Sequence, residues 1–153
     1  VDTIRIKSAH DLFEAVTSRS EEQDIIIKAA AVADYRPAVV SDEKVKKSNG
    51  VLSLALERTE DTLSSLGTHK RPGQLLCGFA METSQLEERA RGKLERKNLD
   101  LIAANNLKVA GAGFGTDTNV ITLIDKQQTR HLEQMSKEAA AMEILTVLRD
   151  MMK

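Results

Sequence analysis

Two spacings of apolar residues alternate along this chain. Short β-branched or leucine-rich runs recur, and between them lie longer segments with apolar positions three and four apart. Residues 3–6 read as a strand. Ser8 then offers a helix N-cap with Asp11 in the capping-box position, and Leu12, Phe13 and Val16 supply the apolar stripe. Residues 24–30 read as a buried strand, of the kind a parallel sheet covers on both faces. Asn49-Gly50 signals a turn, 51–56 a strand, and Thr59 the cap of a short helix ending near Gly67. Residues 69–73 form a polar turn and 74–79 another apolar strand. Ser84-Gln85-Leu86-Glu87 reads as a capping box opening a charged helix to about Lys97, with Asn98 as C-cap. Residues 99–104 give a buried strand, and 105–118 a glycine-rich loop. Residues 119–124 and 129–132 flank a tight turn and read as a hairpin. Ser136 caps a last helix with Met142, Leu145, Leu148 and Met152 on one side. Strand and helix alternate, with a hairpin near the end. The pattern predicts an α/β fold: a mostly parallel sheet between helices, in three layers, with an antiparallel hairpin edge.

Composition narrows the function classes. The chain has 153 residues, 41% of them hydrophobic, enough for one domain with a real core. Its 22 basic and 23 acidic residues leave a net charge of −1, so no global basic field attracts nucleic acid. Trp is absent and aromatics are 3%, which argues against stacking platforms for single strands. No run approaches the roughly 20 apolar residues of a membrane span. The single Cys77 excludes an internal disulfide and fits a reducing, cytoplasmic compartment. It lies in an apolar run and reads as a core thiol rather than a nucleophile. His10, His69 and His131 lack ligand spacing, so a zinc site is not expected. Gly111-Ala112-Gly113-Phe114-Gly115 lacks the following helix start and the Lys-Ser/Thr of a phosphate loop, and reads as a flexible loop.

The chemistry gathers after the 24–30 strand. Ala29 to Ala33 let a ligand lie close to the backbone. Asp34 offers a carboxylate, Arg36 a planar fork, and Lys44-Val45-Lys46-Lys47 cations within loop reach. Open α/β sheets bind ligands just past the carboxyl ends of their strands, where this group would stand. The same residues also read as a polar loop capped by an Asp34–Arg36 pair, and chemistry alone leaves both open. Lys93 and Lys97 share a helix face with Arg89 one turn back. They read either as partners of Glu on the same helix or as a cationic row reaching phosphates. Phe79 ends a strand, where its ring packs in the core or on a base.

Four motifs, in order, resemble one family: Ala30-Ala31-Val32-Ala33-Asp34-Tyr35-Arg36-Pro37, the lysine run 44–47, Gly78-Phe79-Ala80-Met81-Glu82-Thr83, and the stretch from Ala90-Arg91-Gly92-Lys93 to Asn105. They look like phosphopantothenoylcysteine synthetase, the phosphopantothenate–cysteine ligase that is usually the C-terminal half of a bifunctional coenzyme A biosynthesis flavoprotein. The resemblance runs over nearly the whole chain. It implies a Rossmann-like fold, a cytoplasmic homodimer, and ligation of 4′-phosphopantothenate to cysteine through an acyl-cytidylate formed from CTP with Mg²⁺. Carried over, Ala29, Ala30, Asp34, Lys44, Glu60, Asp61, Thr62, Leu63, Phe79, Lys93 and Lys97 bind the nucleotide, and Lys44 is the catalytic lysine. FMN would belong to a decarboxylase half outside this chain. Protein-held metal ligands stay unassigned.

Two departures stand out. The family's Asn-Pro-Asp-Ile-like stretch is Thr59-Glu60-Asp61-Thr62 here, which keeps the Asp without the Pro and leaves ATP open beside CTP. The family's N-terminal strand, glycine-rich loop and functional Asn have no counterpart, and the chain begins at Val1. We therefore expect one synthetase domain over residues 1–153, truncated at its N-terminus and inactive or weak alone. Two other classes compete: a non-catalytic nucleotide-binding or dimerisation module, and a Rossmann-type oxidoreductase. The lack of a Gly-x-Gly-x-x-Gly after a strand weighs against the latter.

Overall fold

The structure, a computed structural model, describes residues 1–46, 50–82, 84–106 and 116–153. The expected turn at Asn49, Lys47 of the lysine run, Thr83 and the glycine-rich stretch Gly111–Gly115 lie outside the described residues.

Among the described residues, five strands form the central sheet. Their spatial order is β1 (Ile25–Lys28), β4 (Leu75–Glu82), β5 (Leu101–Asn106), β7 (Ile121–Asp125), β8 (Thr129–His131). The first three run parallel, with Ile25 beside Leu75 and Cys77 beside Leu101. β7 and β8 run antiparallel, with Leu101 beside Asp125 and Ile124 beside Thr129. This is the expected α/β sheet with an antiparallel hairpin edge. Helices α1 (Ala9–Thr17), α2 (Thr62–Thr68) and α3 (Leu86–Arg96) pack on one face, and α4 (Lys137–Met151) on the other. Alternation along β4 and β5 divides the core. Leu76, Ala80, Ile102 and Ala104 join Leu63, Leu66, Ala90 and Leu94 on the first face. Cys77, Leu101 and Ala103 join Ile144, Val147 and Leu148 on the second. Each fully buried Leu or Ile contributes about 1.5–3 kcal/mol.

Several expected elements differ. Residues 3–6 form no strand: they have no ladder partner, and Ile4 and Ile6 are exposed. β1 is shorter than expected and lies at the sheet edge; Ile26 packs on one core face and Ile25 on the other, both only partly buried, and Ile27 is 39% exposed. Tyr35–Pro37 is a strand, β2, rather than loop; it pairs antiparallel with β3 (Leu56–Arg58) in a separate two-stranded ribbon. Pro37 is tolerated because it ends an edge strand. Residues 51–55 are not strand, and Val51, Leu52 and Leu54 are exposed. Helix α2 is capped by Asp61, not Thr59; the Asp61 carboxylate accepts from Ser64 N–H at 3.0 Å. Helix α3 begins after Gln85, held at φ +51°, and makes no capping box with Ser84. β4 runs on to Glu82, which puts Phe79 inside the strand. α4 is capped by Ser136 as expected, but buries Ala140, Ile144, Val147 and Leu148; Met142, Leu145 and Met152 face outward. Residues 118–119 and 135–136 pair as the short strands β6 (Thr118–Asn119) and β9 (Met135–Ser136). The Ser8–Asp11 capping box of α1 forms on both sides.

One close approach positions the candidate site. The C-terminal turns of α2 and α3 cross so tightly that a Cβ on Gly67 would stand 1.9 Å from the Lys97 carbonyl oxygen. Asn98, in the left-handed region at φ +50°, turns the chain there and donates its amide to the Gly67 carbonyl at 2.9 Å. This seam sets Lys97 against α2, so that its side chain reaches the Asp61 carboxylate at the start of that helix.

Candidate functional site

At the carboxyl ends of β1 and β4 lies a cavity of about 510 Å³. Its walls come from three places. Lys28 closes β1, and residues 29–34 run on from it as the first wall. Thr59 to Leu63, leading into α2, form the second. Phe79 and Met81 of β4, with Lys93 of α3 and Lys97 at its C-cap, form the third. The first two walls are tied together. Thr59 N–H donates to the Asp34 carbonyl at 3.0 Å, and the Thr59 hydroxyl donates to the Ala33 carbonyl. Beyond them the β2–β3 ribbon begins, with Arg36 paired to Glu57 at 2.8 Å and not to Asp34. The bland reading of the loop as an Asp34–Arg36 cap is therefore overturned. Asp34 has no ion-pair partner among the described residues.

The cations of this cavity are arranged unevenly. Lys97 pairs with Asp61 at 2.7 Å, the same carboxylate that caps α2. Burial works against the charged Asp61, but the Lys97 hydrogen bond, the Ser64 N–H and the charges of Lys97 and Lys28 outweigh it, so its carboxyl is held below the usual range. Glu60 is occupied by His10 at 2.7 Å, and is likewise held down by its own backbone N–H and by that imidazole. Lys93 and Lys28 have no carboxylate among the described residues. The Lys93 ammonium donates to the Phe79 carbonyl at 2.7 Å, and the Lys28 ammonium to the Ala30 carbonyl at 3.0 Å. Burial, then repulsion from neighbouring lysines, pushes both below the ordinary lysine value. Half-buried cations that repel one another and hold only carbonyls are stabilised by an incoming anion.

Ten of the residues that the resemblance assigns therefore meet around one cavity: Ala29, Ala30, Asp34, Glu60, Asp61, Thr62, Leu63, Phe79, Lys93 and Lys97. Lys44 does not join them; it is exposed on the segment after β2. Neither Lys93 nor Lys97 pairs with a Glu of its own helix, and Arg89 turns instead to Glu82 at 3.2 Å. Lys28 was not anticipated. Its signal was present in the sequence, a lysine closing an otherwise apolar β-branched run at a strand's carboxyl end. No three His, Cys, Asp or Glu side chains converge as a metal cage among the described residues. Cys77 is fully buried, and burial pushes its thiol up to about 12.

A second cavity, of about 480 Å³, opens at the opposite end of the sheet around Asp100, Asp125 and Asp150. Its acids are committed. Asp100 holds Lys70 at 2.8 Å and the Leu76 N–H, and Asp125 accepts from the Gln127 and Gln128 N–H groups. It is a structural clamp at the amino ends of β4 and β5.

Fold and cavity together define an α/β domain with a cationic, anion-ready pocket at its strand ends. Residues 1–152 match the family model described as DNA/pantothenate metabolism flavoprotein C-terminal domain. The chain belongs to that family. It is 50% identical over 143 residues to the coenzyme A biosynthesis bifunctional protein CoaBC of Bacillus subtilis (strain 168), covering 93% of this chain and 35% of that protein. It is 48% identical over 126 residues to a cysteine/cysteine sulfinic acid decarboxylase of an unknown prokaryotic organism, covering 82% of this chain and 35% of that one. Among solved structures, the C-terminal domain of a coenzyme A biosynthesis bifunctional protein CoaBC superimposes with a TM-score of 0.80 at 38% identity, over 99% of this chain and 66% of that one. The chain thus spans about a third of the length of these curated relatives. Among the described residues no helix is long and apolar enough to cross a membrane.

Proposed function

We propose that this domain is the phosphopantothenate–cysteine ligase part of a coenzyme A biosynthesis enzyme, acting in the cytoplasm. One observation carries the reading: ten residues that the family resemblance links to nucleotide binding surround a single cavity with three lysines. Membership of the family and the similarity to bifunctional coenzyme A biosynthesis proteins support it. The co-substrate is CTP. The carboxylate of 4′-phosphopantothenate attacks the α-phosphorus, pyrophosphate leaves, and an acyl-cytidylate forms. The cysteine amine then attacks the acyl carbon, CMP departs, and the amine proton is released. Such a reaction needs cations on the phosphates and on the charge developing in the transition state, and little acid–base chemistry. Lys93 and Lys97 hold the nucleotide, and Lys44 comes from the adjoining segment to the reacting phosphate. A magnesium ion would arrive on the triphosphate itself, which fits a cavity that offers carboxylates but, among the described residues, no three-ligand cage. FMN belongs to a separate decarboxylase part of such bifunctional proteins.

A homodimer is part of the same reading. Tyr35, Val39, Val40, Leu52, Leu54 and Leu56 stand exposed on and beside the β2–β3 ribbon, an apolar face that a second copy would cover. Light scattering at micromolar concentration then gives twice the chain mass, and a monomer contradicts the dimer.

The test of the chemistry is pyrophosphate release in a protein of the relatives' length that carries this chain. Release requires both CTP and 4′-phosphopantothenate, does not require cysteine, and disappears in Lys44→Ala while the melting temperature is unchanged. Release that ignores 4′-phosphopantothenate overturns the reaction; unchanged release in Lys44→Ala overturns the lysine's role.

A further inference from the structure

We propose that Lys28 is a third phosphate-binding cation of this site, acting from the sheet itself and gripping the polyphosphate of the nucleotide together with Lys93 and Lys97. The assignment rests on the nucleotide-binding reading above and adds a residue that the family resemblance did not supply.

The geometry carries it. Lys28 is the last residue of β1, beside Gly78 in the register with β4, so its backbone is fixed by the parallel ladder. The side chain lines the cavity with Lys93 and Lys97. Among the described residues its ammonium reaches one acceptor, the Ala30 carbonyl at 3.0 Å, two residues along its own chain. A lysine ammonium has three donors, so two are left for a ligand. Asp61 and Asp34 stand near enough to favour the Lys28 charge, but neither forms an ion pair with it: Asp61 is paired with Lys97, and among the described residues Asp34 makes no ion pair. A purely structural lysine at a strand end extends into water or finds a carboxylate. Lys28 instead stands half-buried beside Lys97, with the charges of Asp61 and Asp34 offsetting only part of that cost, and an anion that fills the site relieves the rest. Burial and Lys97 both disfavour its charged form. Three lysines around one cavity, two of them without a paired carboxylate among the described residues, suit a chain of phosphates better than a single phosphate or a carboxylate.

Equilibrium dialysis with CTP and, separately, with inorganic triphosphate tests this, both with Mg²⁺, on wild type, Lys28→Met and Lys28→Arg. Melting curves of the ligand-free proteins accompany it. Lys28→Met binds both probes about tenfold more weakly, the loss of one charged hydrogen-bonding group. Its ligand-free melting temperature does not fall, because a repelled, desolvated charge has gone. Lys28→Arg restores most of the affinity. Lys28→Met binding both probes as tightly as wild type overturns the assignment while leaving the nucleotide reading intact. A wild type that binds triphosphate but not CTP, with Lys28→Met losing triphosphate, sinks the nucleotide reading and keeps the cation. A weakened Lys28→Met that also melts lower, and is not rescued by Arg, makes Lys28 a structural residue and overturns the proposal. Wild type binding neither probe overturns both.

Discussion

Replacing Gly67 with Ala sets two physical effects against each other, and the structure decides the sign. Gly67 sits inside α2, where Ala is the better helix former by about 1 kcal/mol. Local propensity alone therefore makes Gly67→Ala stabilising. The new Cβ, however, would lie 1.9 Å from the Lys97 carbonyl oxygen and 2.8 Å from its carbonyl carbon. Both are backbone atoms, so no side chain can swing aside, and the α2–α3 seam must open. Overpacking of this kind costs about 1–3 kcal/mol. Opening the seam also strains the Asn98 amide bond to the Gly67 carbonyl, worth about 1 kcal/mol. The net effect is a loss of about 1–3 kcal/mol, or roughly 3–10 °C in melting temperature for a domain of this size. The same displacement moves Lys97 relative to Asp61, so nucleotide affinity falls with stability. Calorimetric melting, with urea titration as a second readout, measures the first; a CTP titration measures the second. A Gly67→Ala protein that melts at or above the wild-type temperature refutes the seam argument.

Other predictions follow from the same geometry. Asp61→Ala removes both the cap of α2 and the partner of Lys97, costing about 1–2 kcal/mol at neutral pH by urea unfolding. Because the folded carboxyl is held below its ordinary value of 3.8, that contribution is complete above 3.8 and fades as pH falls further, so wild type and variant converge in acid. Lys28 and Lys93 behave in the opposite sense. Their folded values lie below 10.5, so the unfolded chain binds more protons, and their cost, present at neutral pH, is relieved as pH rises towards 10.5. The wild-type urea midpoint should gain on that of a Lys28→Met, Lys93→Met double variant over that interval; a constant gap contradicts it. Cys77, with its thiol pushed up to about 12 and no exposed surface, reacts with thiol reagents at pH 8 only when the chain unfolds. Labelling of the native protein at the rate of a free thiol contradicts that burial.

Much of this arrangement is legible in the sequence where local chemistry and tertiary packing agree. The apolar runs of β4 and β5, the β7–β8 hairpin and the Ser8 and Ser136 caps each carry their own signal, and each forms close to where it reads. Signals failed where a partner decides the outcome. Residues 3–6 have strand composition, but a strand needs a ladder, and none lies beside them. Ser84 has the residues of a capping box, yet the backbone turns left-handed at Gln85 and starts the helix one residue later. In α4 several apolar residues compete for the buried stripe, and the sheet selects Ile144 and Val147 over Met142 and Leu145. For the site, motif resemblance named ten residues that meet at one cavity, but it could not foresee that Asp61 would hold Lys97 while Lys28 and Lys93, among the described residues, hold carbonyls. That distribution depends on where α2 and α3 cross, which Gly67 and Asn98 set at long range.

The central claim is that the cavity at the strand ends is a nucleotide triphosphate site. Calorimetric titration of this chain with CTP and then ATP, each with Mg²⁺, tests it most directly. The account predicts saturable binding at one site per chain, tighter for CTP, and strongly weakened when Lys93 and Lys97 are both changed to Met. Absence of saturable binding for either nucleotide, or binding unaffected by the double change, would contradict it.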